Sequence, residues 1–468
     1  MIRPRIGFVS VTRPAFKGDS AAAAGASLEA LGALAERYGF ELVPAGQRVR
    51  DADEARRAAG ALADEDLDYL LVQLTTFATG EVVAPLVQAV RRVGLWGLPE
   101  RAGGHGREGP LPLNSLCGLN MSLSLLDTPQ VGKEEPVKWF YGEADAPDFE
   151  RRLATTVDAL RGLAAVEAAR ILAIGGTAPG FYALEEVPEL AGVQLVRREL
   201  ADLFERVAAV PEAEAERRAR AWAERERADV TFAQLVRGAR IDAALEAMAS
   251  EVDATALAVR CWPEVPETCG SMACAAMGDA SGREVPAACE GDVMGALSML
   301  ALQGVSGSSA ILMDLSDVDE EDDTLQAWHC GNAPLAWAAA GPSGAPDTRL
   351  TTHFNRDGTG VVRDMRLKAG PVSGFRLLAS GRRAVVVGGE VRREEKAGFD
   401  GVRGWIGDLR WADTPVAVRG FVSNLLDRRL PHHLAFGRGD RVDALVELCA
   451  LLGTEVVPAL PTTPRLRP

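Results

Sequence analysis

The 468-residue sequence lacks the features that mark membrane, secreted and nucleic-acid-binding proteins. It has no apolar stretch of about 18 residues, the length from which a membrane helix is inferred. Acidic residues outnumber basic ones by 66 to 51, so the net charge is −15, which nucleic acid and anionic membrane surfaces both repel. The apolar run near the N-terminus is too short for a signal peptide. We therefore expect a cytoplasmic protein that binds neither nucleic acid nor membrane.

Cysteine and histidine are also scarce. The seven cysteines are spread from Cys117 to Cys449 without a Cys-x-x-Cys pair, which argues against a disulfide framework and against a structural zinc site. Cys289 and Cys330 are interpreted as buried packing residues. The histidines are unevenly distributed, which is a first indication of a site. Four of the five lie in the last third of the chain: His329, His353, His432 and His433.

The pattern of apolar residues changes once along the chain. Through the first 340 residues, short apolar runs alternate with segments whose apolar residues recur every three or four positions. This alternation predicts parallel sheets covered by helices. After Gly341, short alternating runs separated by Gly, Pro and Asp predict antiparallel strands. We therefore predict an α/β fold with two parallel-sheet α/β domains, residues 1–165 and 166–340, followed by a C-terminal antiparallel β-rich domain, residues 341–468.

Side chains suited to a metal ion follow several of the predicted strands. Glu290 and Asp314 stand at the ends of two strands, His329 ends a third, and the pair His432–His433 follows the β-rich region. In open α/β sheets, ligands bind beyond the carboxyl ends of the strands. Carboxylates and imidazoles suit Mn²⁺, with Zn²⁺ as the competing ion. Taken singly, each residue is better explained by a structural role, such as helix capping by Glu290, but together they favour a metal site.

Four segments near these residues carry a resemblance to a known family. In the composition and order of these segments, the chain resembles the L-fucose isomerase/L-arabinose isomerase superfamily. The resemblance is greatest to the shorter L-fucose isomerase-like members of that superfamily. The resemblance extends over nearly the whole chain. Its segments are Pro-Ala-Ala-Cys-Glu-Gly-Asp at 286–292, Met-Asp at 313–314 with the acidic run after it, Trp-His-Cys-Gly-Asn at 328–332, and His-His at 432–433 followed by Ala-Phe and Gly439–Asp440.

The resemblance implies an aldose–ketose isomerase that depends on Mn²⁺, with Co²⁺ or Mg²⁺ as other candidate ions, and that works through an enediol. It implies that Glu290 and Asp314 are metal ligands that also move protons, and that His433 is a ligand. His329 matches a ligand of the arabinose-type enzymes. Further candidates for sugar binding are Asn332, His432, Asn114 and Ser115.

The resemblance also implies a homo-oligomer, a trimer or hexamer, with active sites between subunits. The implied substrate is a pentose, hexose or 6-deoxyhexose of the L-fucose, L-arabinose or D-arabinose type. Arg356, Arg363 and Lys368 are candidates for binding a phosphate or sulfonate on the sugar, although residues of these types usually face water.

Other functions stay open at this point. A metal-dependent lyase or aldolase would need the same enolate-stabilising ion. A non-catalytic sugar-binding protein would keep the fold without turnover, and a purely structural acidic α/β protein would bind no metal. For an isomerase, the sequence leaves open whether Glu290 or Asp314 removes the C2 proton, because paired carboxylates titrate as a unit.

Overall fold

The computed structural model describes residues 2–46, 48–100, 111–354, 358–392 and 396–460. The chain divides into two compact units, Met1–Arg161 and Gly162–Pro468. In the described part of the chain, no helix is both long and apolar enough to cross a membrane. Parallel α/β sheets occupy the first part of the chain and an antiparallel sheet the last part, which confirms the predicted fold class.

The first unit contains a five-stranded parallel sheet in the order β2-β1-β3-β4-β5. Its central strands are buried on both faces, which is why their sequences are continuously apolar. Asp51 accepts a hydrogen bond from the Glu54 N–H at 2.9 Å and caps the second helix. The strands are β1 (Arg5–Val11), β2 (Glu41–Pro44), β3 (Tyr69–Leu74), β4 (Val93–Gly97) and β5 (Val137–Tyr141). The helices are α1 (Ser20–Tyr38), α2 (Ala52–Ala63), α3 (Gly80–Ala89), α4 (Ser115–Ser124) and α5 (Pro147–Glu167), the last of which runs across the boundary between the units.

The second unit begins with a four-stranded parallel sheet in the order β10-β9-β6-β7. Its strands are β6 (Arg170–Ile174), β7 (Gln194–Arg198), β9 (Ala256–Val259) and β10 (Ala287–Ala288); the short β8 (Arg227–Ala228) joins the other sheet. The helices are α6 (Leu200–Ala209), α7 (Glu212–Arg225), α8 (Phe232–Glu251), α9 (Glu264–Cys269), α10 (Cys274–Gly282) and α11 (Val293–Ser306).

The second sheet of this unit is mostly antiparallel and includes a closed ring of six strands. Its strands are β11 (Ile311–Asp319), β12 (Thr324–His329), β13 (Thr348–Thr352), β14 (Gly360–Arg366), β15 (Gly370–Leu378), β16 (Arg383–Val391), β17 (Val402–Trp411), β18 (Thr414–Pro415), β19 (His433–Arg438) and β20 (Glu455–Val456), and two helices accompany them, α12 (Val418–Asp427) and α13 (Val442–Leu452). The ring runs β16-β15-β19-β11-β12-β17 and closes because β17 also pairs with β16. The side chains that point into the ring form an apolar core.

Two features of this arrangement position the candidate site. Helix α11 contacts β9 of the parallel sheet and β15 and β19 of the ring, so its N-terminus lies where the two sheets meet. Strands β11 and β12 belong to the ring although they precede residue 341, where the C-terminal domain was predicted to begin. The division into three domains stays a prediction.

Candidate metal centre

Glu290 stands in the turn that joins the edge strand β10 to helix α11. Both Glu290 and Gly291 have positive φ values, 59° and 72°. A Cβ atom at position 291 would lie 2.0 Å from the carbonyl oxygen of Gly176, so this position requires glycine. The Ala178 N–H donates to the Glu290 carbonyl at 2.9 Å, so the glycine-rich segment after β6 supports the turn. A left-handed glutamate costs on the order of 1–3 kcal/mol, and such strain clusters at functional sites.

Asp314 and His433 lie opposite each other on neighbouring strands of the ring. Asp314 is in β11 and His433 begins β19, and the antiparallel register pairs them. Paired residues point to the same face with their Cβ atoms about 4.5–5.5 Å apart, so the two side chains are neighbours. The register is fixed by the adjacent apolar residues Met313 and Leu434, which alternate to the core side.

The three predicted ligands Glu290, Asp314 and His433 converge. His433 Nε2 lies 3.6 Å from Glu290 Oε2 and 3.6 Å from Asp314 Oδ1. His432 Nε2 lies 3.2 Å from Glu290 Oε2 and 4.0 Å from Asp314 Oδ1. Asp314 Oδ1 is buried and receives no hydrogen bond from the described residues. Because a buried carboxylate oxygen without a donor is costly, these side chains fit a divalent cation bound among them.

His433 is oriented by a buried acid that the sequence did not single out. Its Nδ1 lies 2.8 Å from Asp292 Oδ2, and Asp292 accepts two hydrogen bonds from Arg376 at 2.5 and 3.0 Å. Burial by itself raises the pKa of Asp292, but the charge of Arg376 and the hydrogen bond from His433 hold that pKa well below its ordinary value. The ionised Asp292 therefore accepts a hydrogen bond from the Nδ1–H of His433, which holds the ring with Nε2 facing the two carboxylates.

Glu290 and His432 stabilise each other in their charged forms. Burial raises the pKa of Glu290, but the hydrogen bond from His432 and the charge of His433 bring it below its ordinary value. The pKa of His432 moves in the opposite direction: burial lowers it, whereas the hydrogen bond to Glu290 and the charge of Asp314 raise it above its ordinary value. Glu290 is therefore an ionised carboxylate at neutral pH, able to bind a cation or accept a proton.

His329 lies beside the centre, but its ring faces thiols. It ends β12, is buried, and has its ring centroid 6.0 Å from that of His433. Its Nε2 is 2.9 Å from Cys289 Sγ and its Nδ1 is 3.4 Å from Cys330 Sγ. Cys289, interpreted from the sequence as a packing residue, thus contacts a histidine of the site. Ligation of the catalytic ion by His329 stays a prediction.

The remaining candidates for sugar binding have structural contacts of their own. Asn332 is buried and its Nδ2 donates to the Ala287 carbonyl at 2.8 Å. In the first unit, Ser115 is buried, and its hydroxyl donates to the Leu74 carbonyl and accepts a backbone N–H. Asn114 precedes α4 in a left-handed conformation. The sugar contacts of these residues stay predictions.

One cation that was expected to face water does not. Arg363 is fully buried and donates to Glu226 at 2.6 and 2.8 Å and to Asp279 at 2.9 Å. An arginine in this position is held by acids of its own chain and does not offer a binding site for a substrate anion. Lys368 is exposed as expected, and Arg356 lies outside the described residues.

Two aromatic side chains border the carboxylate. Trp262 Nε1 lies 3.5 Å from Glu290 Oε1. The ring of Phe181 packs edge-on against Trp262, with centroids 5.7 Å apart, and lies 5.6 Å from the ring of His432. Apolar walls with a few convergent polar groups are typical of small-molecule sites.

The sequence contains a recognisable feature at each of the two residues that support His433, Asp292 and Arg376. Asp292 directly precedes an apolar helix and accepts from the Gly295 N–H at 2.7 Å, so the capping role considered for Glu290 belongs to Asp292. Arg376 interrupts the apolar run Gly-Phe-Arg-Leu-Leu, where a buried cation requires an anionic partner. Neither signal identifies the partner, because 84 positions separate the two residues.

Comparison with other proteins reveals similarity to sulfoquinovose isomerases. The chain is 27% identical over 425 residues to that of Priestia megaterium, and the match covers 87% of this chain and 89% of that protein. It is 29% identical over 402 residues to that of Alkalicoccus urumqiensis, covering 83% and 86%. No family model matches the chain.

Because these matches cover 83–87% of the chain, the similarity extends over most of its length and is not limited to a single motif. They confirm the enzyme class predicted from the sequence, an aldose–ketose sugar isomerase and hence an intramolecular oxidoreductase. The finer assignment to the L-fucose isomerase/L-arabinose isomerase superfamily stays a prediction.

Proposed function

We propose that the protein is a divalent-metal-dependent isomerase that interconverts sulfoquinovose, an aldohexose with a sulfonate at C6, and the corresponding 2-ketose. The similarity to sulfoquinovose isomerases over 83–87% of the chain supports this substrate. The single observation that carries the metal dependence is the convergence of Glu290, Asp314 and His433, in which the buried Oδ1 of Asp314 receives no hydrogen bond from any residue that the structure describes. The proposal replaces the neutral sugar implied by the family resemblance with an anionic one.

The ligand set favours a hard or borderline ion. Glu290, Asp314 and His433 would hold it, and two carboxylates with one imidazole suit Mn²⁺, with Co²⁺ and Mg²⁺ as related ions. When bound, the ion would supply positive charge that stabilises the negative charge developing on the oxygens of the open-chain sugar. Asp292 and Arg376 hold the His433 ring so that Nε2 faces this position.

Isomerisation moves one proton from C2 to C1 and another from O2 to O1. Glu290 Oε2 and Asp314 Oδ1 are each 3.6 Å from the same atom, His433 Nε2, so both carboxylates reach the same small volume. One of them removes the C2 proton, and a protonated carboxyl group delivers a proton to C1. The order of the two is left open because coupled carboxylates titrate as a pair.

His432 and the two aromatic rings complete the proposed sugar site. The His432 side chain is 43% exposed and hydrogen-bonds Glu290, so it lies where a substrate would enter and keeps the carboxylate ionised. Trp262 and Phe181 supply the apolar wall against which the carbon skeleton would rest.

The test is a conversion assay on metal-stripped full-length protein, with and without Mn²⁺. The panel contains sulfoquinovose, D-glucose, L-fucose, L-arabinose and D-arabinose, and the products are identified by nuclear magnetic resonance. We expect Mn²⁺-dependent formation of the 2-ketose from sulfoquinovose, with little turnover of D-glucose, which has the same stereochemistry but no sulfonate. Preference for a neutral sugar would overturn the proposed substrate but keep the reaction.

Two further results would change the proposed chemistry. A product with a broken carbon skeleton would indicate a lyase or aldolase instead. Equal turnover with and without metal would contradict the role given to Glu290, Asp314 and His433. Light scattering on the same preparation tests the predicted trimer or hexamer.

A further inference from the structure

A second group of metal-ligating atoms lies next to His433 Nε2. Cys289 Sγ is 2.9 Å from His329 Nε2 and 3.6 Å from His433 Nε2. All three side chains are buried, and their ligating atoms lie within 4.8 Å of one another. This group shares one atom, His433 Nε2, with the oxygen-rich site formed by Glu290 and Asp314.

His329 and His433 both direct Nε2 toward the thiol of Cys289. Asp292 accepts a hydrogen bond from the Nδ1–H of His433, so Nε2 is the ring nitrogen left for a metal ion. The Nδ1 of His329 faces Cys330 Sγ at 3.4 Å, and its Nε2 points to Cys289. The ring orientations are therefore fixed by neighbours before any ion binds.

The distances are close to those of a tetrahedral zinc site. Bonds of about 2.3 Å to sulfur and 2.0–2.1 Å to nitrogen place the two atoms about 3.6 Å apart at a tetrahedral angle. The distance from Cys289 to His433 is 3.6 Å, and the distance from Cys289 to His329 must lengthen from 2.9 Å. One thiolate and two imidazoles with a fourth position left for solvent are a ligand set that Zn²⁺ uses.

We propose that Cys289, His329 and His433 form a second, thiol-containing metal site that takes soft or borderline ions such as Zn²⁺ and Cd²⁺. Binding releases one proton from the Cys289 thiol to solvent and forms a metal–sulfur bond, without a change of oxidation state. Because the His433 Nε2 lone pair can bind only one ion, occupation of this site excludes an ion from the oxygen-rich site. Soft ions are therefore inhibitors that compete with the catalytic metal rather than substitutes for it.

The test measures metal binding to metal-stripped full-length protein without any sugar. Cd²⁺ is added stepwise, and the thiolate-to-cadmium charge-transfer absorption in the ultraviolet is recorded. We expect one equivalent of Cd²⁺ to produce the band, and Cys289→Ser to abolish it. Cys449→Ser is the matched control, because Cys449 is a buried thiol in α13 outside the site, and it should keep the band. A band that persists in Cys289→Ser would overturn the proposal. If that variant does not fold, His329→Gln provides the same test.

Competition with Mn²⁺ tests the shared histidine. Free Mn²⁺ is followed by electron paramagnetic resonance, and we expect one equivalent of Cd²⁺ to release the bound Mn²⁺. Simultaneous binding of both ions would contradict a shared His433. Asp314→Asn should weaken Mn²⁺ binding and retain the cadmium band, since Asp314 belongs to the oxygen-rich site alone. These readouts involve no turnover, so they stand or fall independently of the proposed isomerisation of sulfoquinovose.

Discussion

Two of the clusters of charged side chains in the second unit differ in how their charges are balanced. The structural cluster consists of Arg225, Glu226, Asp279 and Arg363, and the site cluster consists of Glu290, Asp292, Asp314, Arg376 and His433. In the structural cluster two guanidinium groups face two carboxylates, and Trp222 Nε1 donates to Asp279 at 2.8 Å. In the site cluster three carboxylates face one guanidinium.

This difference separates a buried charge cluster that indicates a metal-binding site from one that only stabilises the fold. The structural cluster is electrically neutral, and Arg363 also donates to a backbone acceptor, the carbonyl of Ala333, at 2.6 Å. In the site cluster the carboxylates outnumber the single guanidinium, their other partners are the imidazoles of His432 and His433, and Asp314 Oδ1 is buried without a hydrogen bond from the described residues. An excess of carboxylates over fixed cations in a partly enclosed position favours a bound metal cation, whereas a balanced cluster needs none.

The largest effect on activity is predicted for Asp314→Asn, which neutralises one carboxylate of the site cluster. We expect kcat to fall by about 10³-fold or more, because the change removes both a metal ligand and an acid–base group. Steady-state kinetics with saturating Mn²⁺ measures the effect. The control is Asp317→Asn, an exposed residue of the same strand, which should leave kcat unchanged. Activity near that of the unaltered protein would remove Asp314 from the site.

The converse change, Arg363→Met, should affect stability rather than chemistry. It leaves Glu226 and Asp279 buried with only Arg225 as a cationic partner, and breaking such a buried cluster costs about 3–5 kcal/mol in the free energy of unfolding. Urea denaturation measures this change. Arg366→Met, at a half-exposed arginine of the same strand, should change the free energy of unfolding by less than about 0.5 kcal/mol. A small loss in Arg363→Met would show that the cluster is not structural.

A smaller effect is expected for Asp292, which orients the His433 ring but is not itself a proposed metal ligand. Asp292→Asn retains the shape of the side chain but weakens its hold on the His433 Nδ1–H, and such partners of metal-ligating histidines contribute about 10–100-fold in metal affinity. Calorimetric titration with Mn²⁺ measures the change, and thermal unfolding without metal identifies any general loss of stability. An unchanged Mn²⁺ affinity would mean that Asp292 serves only as a helix cap.

The smallest predicted effect is a change in how the free energy of unfolding depends on pH under acidic conditions. Burial raises the pKa of Asp279, but Arg363 and Arg225 bring it below its ordinary value. The resulting stabilisation is present above the unfolded-state pKa of about 3.9 and is lost as the pH falls through the lower folded-state pKa. The free energy of unfolding of Asp279→Asn should therefore depend less steeply on pH below about pH 4 than that of the unaltered protein. Asp413→Asn, at an exposed position, should leave the slope unchanged, and equal slopes for both variants would contradict the prediction.

Local sequence was sufficient for much of the fold. The period of the apolar residues predicted the change from parallel to antiparallel sheets. Such features depend on interactions between residues a few positions apart. The residues Glu290, Asp314 and His433 could be selected because carboxylates and imidazoles stand at strand ends, where the topology of α/β sheets gathers ligands.

Tertiary structure alone decided which distant residues meet. The register between β11 and β19 pairs Asp314 with His433, and the contact between α11 and the ring brings Arg376 to Asp292. Packing of β14 against helices α8 and α10 likewise buries Arg363, which the sequence suggested would face water. Sequence periodicity determines which face of an element is buried, but the partner across that face depends on how separate elements pack. The protein's sequence thus determined the types of ligand, and its packing determined the charge balance that makes them a site.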